Sequence, residues 1–184
     1  MDENDFPFDE LQKFINKNPN SALSLEATPK LDGSAISLKY VDGRLVQALT
    51  RGGGEKKGGI DKTDKLRRMV PESYRVSSHK TNGVVEIRGE IVIDKKIFAE
   101  KYASEYKNER NFVAGIMNKD EDWEDFIEDF EFVAYHLVYD ADTNPYHSRS
   151  TMRMLEGLGF NTYHNPLVVR NVTNAEGFFK NAYP

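Results

Sequence analysis

The feature that most constrains the fold is a hairpin signal early in the chain. Two segments of strand-like sequence, AISLKY and RLVQALTR, are separated by Val41, Asp42 and Gly43. An Asp-Gly pair between two such segments favours a type I′ turn, whose twist matches that of paired antiparallel strands. The sequence therefore predicts that at least part of the sheet consists of neighbouring antiparallel strands.

Further segments extend this pattern. GVVEIRGEIVI and FEFVAYHLVYD read as strands, and the second is apolar nearly throughout, which is typical of burial on both faces. DKKIFAEKYASEYKN, opened by Asp94, and STMRMLEGLGF, opened by Ser150 or Thr151 and ending at Gly157 or Gly159, read as helices. Because the strands are joined both by hairpins and by helices, we predict an α+β domain with mostly antiparallel sheets flanked by helices.

One segment and the overall composition limit the functional classes. GGGEKKGGIDKTDK is rich in glycine and charge without periodicity, so we expect a mobile surface loop. The 184 residues suit one domain, and the lack of cysteine excludes disulfide frameworks, zinc knuckles and thiol nucleophiles. No segment approaches a membrane span, so we expect a cytoplasmic protein, in the host cytoplasm if it is viral. The net charge of -5 weighs against independent binding of nucleic acid.

A single lysine, Lys30, precedes Leu-Asp-Gly and the hairpin. A lysine attacks only as the free amine, and roughly one lysine in a thousand is neutral near pH 7. Burial or neighbouring cations must favour that form, and attack on phosphorus also needs cations around the developing charge. On these residues alone, a solvated surface lysine and a nucleophile both remain open.

Four ordered segments carry a resemblance to one family. PKLDGSAISLKYVDGRLVQALTRG resembles the nucleotidyltransferase core of the NAD-dependent DNA ligases, with its Lys-Leu-Asp-Gly, hairpin and Thr-Arg-Gly. VEIRGEIVI is similar to the Arg-Gly-Glu strand of that family, NERNFVAGIMNK to its Asn-Pro-Arg-Asn-x-x-Ala-Gly segment, and FEFVAYHLV to its Phe-x-x-Tyr strand. The segments follow the family's order across most of residues 26 to 180.

The resemblance implies roles for the first motif. Lys30 would attack the α-phosphate and hold AMP through a phosphoramidate. Asp32 would assist around the lysine and the ribose or a metal, and Gly33 would permit close backbone approach. Leu31 belongs to the same nucleotide-binding segment.

The resemblance also implies roles on the neighbouring elements. Arg51 would contact the nucleotide, Glu90 would bind the ribose hydroxyls, and Tyr135 would stack on adenine. Arg110 would face the phosphates of AMP or of the nick. Each residue also has an ordinary structural reading, as a surface charge or a core aromatic.

The implied function is that of a DNA ligase adenylation domain or subunit. Such a protein takes AMP from NAD, with magnesium, and transfers it to the 5′ phosphate of nicked DNA in replication and repair. Two family segments are not found in this sequence: the one that grips the nicotinamide half of NAD, and the Asp-Gly-Val-Val-x-Lys strand. We therefore expect residues 1-184 to be a single, C-terminally incomplete adenylation domain. A second ligase subunit would supply the missing motifs, as in some large bacteriophages.

Alternatives stay open at this point. The chain could be a truncation, a non-catalytic module that binds adenine nucleotides, or an ATP-dependent nucleotidyltransferase of the RNA ligase type. It also departs from the family pattern at Thr28, where glutamate is usual, at Gly53 in place of aspartate, and at Asn118, where arginine is expected. These positions concern base recognition and DNA engagement and leave the nucleophile in place.

Overall fold

The structure, a computed structural model, describes most of the chain. The described residues are 9, 13, 16–17, 25–28, 30–50, 59–76, 82–139, 149–162 and 167–169. The chain divides into two compact units, one of residues 1–30 with 164–184 and one of residues 31–163.

The first unit contains a two-stranded antiparallel sheet. Strand β1 (Leu25–Ala27) pairs with strand β7 (Leu167–Val169), with Leu25 opposite Val169. Lys30 follows β1 by three residues and is exposed.

The second unit is built on a five-stranded sheet in the order β3-β2-β4-β5-β6. The strands are β2 (Ser34–Val41), β3 (Arg44–Thr50), β4 (Val84–Ile93), β5 (Phe130–Val138) and β6 (Asn161–Thr162). Every pair is antiparallel except β5 with β6. With the helices that flank the sheet, this confirms the predicted α+β class.

The predicted hairpin joins β2 to β3. Asp42 has a φ of 49° and Gly43 a φ of 77°, and Val41 pairs with Arg44 across the two-residue loop. Positive φ at both central residues is what a type I′ turn requires, and it explains why Asp-Gly occupies this loop.

Five helices belong to the described part of the second unit. They are α1 (Thr63–Leu66), α2 (Lys95–Lys101), α3 (Glu109–Asn118), α4 (Glu124–Ile127) and α5 (Arg149–Gly157). Asp94 caps α2 as predicted, because its carboxylate accepts hydrogen bonds from the backbone N–H groups of Lys96 and Ile97. Within the described residues, no helix has the length and apolar character needed to cross a membrane.

The prediction of a mobile loop is wrong for its C-terminal part. Residues 51–58 lie outside the described residues, but Asp61 forms an isolated bridge with Leu49 and its carboxylate accepts hydrogen bonds from Thr63. Thr63 in turn accepts the Ala48 backbone N–H at 2.8 Å and begins α1. A helix of one turn has no periodicity that sequence could reveal, which explains the error.

The core lies on one face of the sheet. Alternate residues of the two central strands point into it: Ile36, Leu38, Tyr40, Val85, Ile87, Ile91 and Ile93. Helices α3 and α5 add Phe112, Val113, Ile116, Met117, Met152 and Leu155. Strand β5 is buried almost without interruption, as predicted. The opposite face of β4 carries Glu86, Arg88 and Glu90, so the candidate functional groups project away from the core.

Candidate active site

The backbone of the Lys-Leu-Asp-Gly motif touches strand β4 at Gly33. The Gly33 N–H donates to the Glu90 carboxylate at 3.3 Å, and the next residue, Ser34, pairs with Ile91. A Cβ atom at position 33 would lie 1.9 Å from the Ile91 carbonyl oxygen, so only glycine fits. The close approach expected of Gly33 is therefore an approach to β4. It brings the backbone of the motif into hydrogen-bond contact with the Glu90 carboxylate.

Asp32 and Arg110 form an ion pair beside this contact. The Arg110 Nε donates to the Asp32 carboxylate at 2.5 Å, and the two side chains are 53% and 65% exposed. Arg110 lies in the first turn of α3, which Asn108 caps by accepting the Asn111 backbone N–H at 2.8 Å. Because an exposed ion pair contributes only about 0–1 kcal/mol, either partner can turn to a ligand at little cost in stability.

The Glu90 carboxylate is half-buried, and this determines its electrostatics. Burial raises the pKa of Glu90, and the charge of Asp32 raises it further, whereas the Gly33 N–H and Arg110 act in the opposite direction. A carboxylate that has lost part of its hydration is stabilised by new hydrogen-bond donors. Glu90 is therefore suited to accept hydrogen bonds from a pair of neighbouring hydroxyls.

Tyr135 occupies a β-bulge in the adjoining strand. Arg88 pairs with His136 and Gly89 pairs with Ala134, so Tyr135 is the extra residue of β5. It is half-buried and packs against the core. Its position one strand away from Glu90 is compatible with a stacking role, and the contact with a base stays a prediction.

Gly89 lets β5 approach β4 closely beside this bulge. A Cβ atom at this position would lie 2.3 Å from the Phe132 ring and 2.6 Å from the Val133 carbonyl oxygen. The glycine of the Arg-Gly-Glu motif thus serves packing between β4 and β5. Glycine inside a strand is the sequence signal for such a bulge or close approach.

A network that the sequence did not predict lies on the same face of β4. Ser37 donates to Glu86 at 2.7 Å, and Arg88 donates to both Glu86 oxygens, at 2.7 and 3.2 Å. The Arg88 hydrogen bond lowers the pKa of Glu86, with further lowering from Ser37 and from the charge of Arg88, although burial raises it. The alternation along β4 was visible in the sequence, but the partner on β2 depends on register.

The structure thus brings together four of the expected site residues: Asp32, Gly33, Glu90 and Arg110. Leu31 is half-buried at the start of the second unit, and Lys30 belongs to the first unit. Arg51 lies outside the described residues. The functional roles of these residues stay predictions.

Comparison with known proteins gives the family. A sequence profile described as the NAD-dependent DNA ligase adenylation domain matches residues 2–183. "DNA ligase 2" of Pseudarthrobacter chlorophenolicus is 32% identical over 177 residues, which cover 91% of this chain and 23% of that protein. A "DNA ligase" of a Synechococcus species is 31% identical over 184 residues, covering 92% of this chain and 26% of that protein.

These relatives are much longer than this chain. The "DNA ligase" of Dichelobacter nodosus is 36% identical over 129 residues, which cover 64% of this chain and 19% of that protein. The chain therefore spans about a quarter or less of the length of the curated relatives that it matches. Because the profile covers nearly the whole sequence, the chain belongs to the NAD-dependent DNA ligase adenylation domain family.

Proposed function

We propose that this chain carries out the adenylation step of DNA ligation, with Lys30 as the nucleophile and NAD as the adenylate donor. The observation that carries the proposal is the meeting of separate motifs directly after Lys30. Gly33 contacts Glu90 across 57 residues of sequence, and Asp32 contacts Arg110 across 78. Packing of the sheet alone does not call for a glycine that excludes any side chain, a half-buried carboxylate and an exposed ion pair beside the same strand, β4.

The proposed chemistry is a displacement at the α-phosphorus of NAD. The neutral Lys30 amine forms the N–P bond and loses a proton, while the bond to the bridging oxygen breaks and nicotinamide mononucleotide leaves with the electron pair. In the second step an oxygen of the 5′ phosphate of nicked DNA attacks the same phosphorus, and the Lys30 amine leaves. The phosphoramidate links the two half-reactions.

The other residues would hold and orient the nucleotide. Glu90 would accept hydrogen bonds from the ribose hydroxyls, since it is half-buried and already held by the Gly33 N–H. Tyr135 would stack on adenine from its bulge on β5, and Leu31 would line the same site. Arg51 and Arg110 would bind the phosphates, where planar guanidinium groups match the phosphate oxygens.

The charges at the described contacts call for additional cations. Asp32 and Glu90 supply two carboxylates, whereas Arg110 supplies one guanidinium. Phosphoryl transfer needs positive charge around the phosphate oxygens as the attack proceeds.

A magnesium ion fits this donor chemistry. Magnesium is commonly bound through one or two carboxylates together with substrate phosphates and waters, and Asp32 offers an exposed carboxylate. When bound, the ion would neutralise charge on the transferred phosphate. Among the described residues, no cluster of three or more histidine or acidic side chains could hold a metal without such help from a substrate.

We further propose that a second ligase polypeptide supplies more of these cations and the grip on nicked DNA. The excess of carboxylate over guanidinium at the described contacts supports this idea. The chain's net charge of -5 points the same way, because affinity for DNA rests largely on phosphate contacts by basic residues. This chain covers only 19 to 26% of the relatives named above.

The test is intact-protein mass spectrometry after incubation with magnesium and either NAD or ATP. We expect wild type and Lys39→Ala, which removes an exposed lysine of β2, to gain one AMP from NAD, and Lys30→Ala to gain none. An adduct formed from ATP alone would instead indicate an ATP-dependent nucleotidyltransferase. If no adduct forms with either donor, even after addition of a candidate second subunit, the chain would be a nucleotide-binding module.

A further inference from the structure

A buried lysine caps the helix that carries Arg110. Lys65 is only 8% exposed, and its ammonium donates to the carbonyls of Ile116 and Met117 at 3.1 Å each, and to that of Lys119. The last carbonyls of a helix lack partners within the helix, and the negative end of the helix dipole favours a cation there. Lys65 thus satisfies the C-terminal end of α3 with charge-assisted hydrogen bonds.

The surroundings of this ammonium explain why it stays in place. It lies 5.2 Å from the centre of the Trp123 ring. Burial and the charge of Lys62 lower the pKa of Lys65, whereas the charges of Asp120 and Glu124 act in the opposite direction. With its water shell largely removed, the ammonium depends on the three carbonyls and the ring for stabilisation.

Lys65 itself is fixed to the sheet. It belongs to α1, where the Lys62 backbone N–H donates to the Ala48 carbonyl at 2.8 Å and the Ala48 N–H donates to Thr63 at 2.8 Å. Ala48 is a fully buried residue of β3. The ammonium therefore connects the edge of the sheet to the end of α3.

The two ends of α3 serve different purposes. At its C-terminal end the helix is held by Lys65, and in its first turn Arg110 donates to Asp32. Phe112, Val113 and Ile116 press the helix against the sheet. Apolar packing of this kind is non-directional, so it fixes the distance from the sheet more firmly than the position along the helix axis. Hydrogen bonds to the terminal carbonyls are directional and supply that missing constraint.

We propose that Lys65 is a positioning residue that sets the place of α3 along its axis and so holds Arg110 against Asp32. A helix is stiff, and its ten residues span roughly 15 Å, so a shift at the C-terminal end moves Arg110 as well. The effect on phosphate binding rests on the proposed function, whereas the effect on the Asp32–Arg110 contact does not. The two are therefore tested separately.

The first experiment observes the contact by NMR. The Arg110 Nε–H signal is assigned through its loss in Arg110→Lys, and it is then followed in Lys65→Met, Lys65→Arg and Leu155→Ala. Leu155 is fully buried in α5 and serves as the control for loss of core stability. We expect the signal to shift or broaden in Lys65→Met, to stay near its wild-type position in Lys65→Arg, and to be unchanged in Leu155→Ala.

An unchanged Arg110 signal in folded Lys65→Met would overturn the inference. If that variant does not fold, Lys65→Ala, which removes the donor but leaves room for water at the three carbonyls, is read in the same way. A signal that moves equally in Leu155→Ala would also overturn it, because the contact would then report stability in general.

The second experiment measures the rate of AMP transfer to the protein. We expect Lys65→Met to slow adenylation about tenfold in the wild-type background and less than twofold in Arg110→Ala, since residues acting through one another are not additive. An equal loss in both backgrounds would show that Lys65 does not act through Arg110. If wild type forms no adduct at all, the proposed function fails, and the NMR result still decides the positioning role.

Discussion

Replacing Gly33 with alanine tests the central geometric claim about the site. The added Cβ would lie 1.9 Å from the Ile91 carbonyl oxygen and 3.1 Å from the Glu90 Cγ. Both the oxygen and the new carbon belong to backbone-fixed positions, so no rotation of a flexible side chain relieves the clash. The strand start must move by roughly 1.5 Å before the contact reaches an ordinary separation.

The expected cost follows from two contributions. Overpacking of this kind destabilises by about 1–3 kcal/mol, and loss of the Gly33–Glu90 hydrogen bond adds about 1 kcal/mol. We therefore expect Gly33→Ala to lower the free energy of unfolding by about 2–4 kcal/mol in urea denaturation. Because the lost N–H is one of the groups that lower the pKa of Glu90, that pKa should rise further.

The matched control is Gly157→Ala. Position 157 ends α5, and a Cβ there meets nothing within 4 Å. Alanine there should leave stability unchanged or raise it by up to about 1 kcal/mol. If Gly33→Ala unfolds at the same urea concentration as wild type, and its Glu90 titrates as before, the close approach to β4 is not what the site depends on.

Three further predictions concern residues of β4 and β5. Because burial raises the pKa of Glu90, the folded state keeps the Glu90 proton to higher pH than the unfolded chain, and stability falls as pH rises through that raised pKa. Glu90→Gln should therefore have a larger free energy of unfolding than wild type near pH 7 and lose this advantage in acid, as urea titrations at several pH values would show. The same variant should transfer AMP more slowly. Gly89→Ala should lower the free energy of unfolding by about 1–3 kcal/mol through its clash with Phe132, whereas Gly157→Ala does not. If Tyr135 stacks on adenine, Tyr135→Phe should keep AMP transfer near the wild-type rate and Tyr135→Ala should reduce it severalfold, and equal rates for the two would exclude stacking.

Some of the fold was predictable because its signals are local. The Asp42-Gly43 turn, the Asp94 cap and the continuous burial of β5 each follow from residues within a few positions of one another. The resemblance pointed to Asp32, Gly33, Glu90 and Arg110, and the structure brings Gly33 to Glu90 and Asp32 to Arg110, while their functional roles stay predictions.

The remainder depends on register and packing between distant segments. Nothing near Asp32 in the sequence indicates that its partner is Arg110, and nothing near Gly33 indicates the Ile91 carbonyl. Lys65 is the clearest case that sequence alone does not predict. Its segment reads as a charged loop, and yet its ammonium is buried against α3. A charged residue without periodic neighbours gives no sign of the carbonyls that will bind it.

The charges around Glu90 favour a ligand of a particular kind. Asp32 raises the pKa of Glu90, and Arg110, which lowers it, is committed to Asp32 through an exposed pair of small energy. A nucleotide could offer hydroxyl donors to Glu90 and a phosphate to Arg110. The hydroxyls would stabilise the carboxylate that Asp32 destabilises, and the phosphate would replace Asp32 as the partner of Arg110. Nucleotide binding should therefore stabilise the fold most at pH values above the raised pKa of Glu90, because the half-buried carboxylate is then ionised and gains most from new hydrogen-bond donors. The half-buried carboxylate costs stability in the free protein, and that cost is what makes it selective for a ligand that supplies the missing donors.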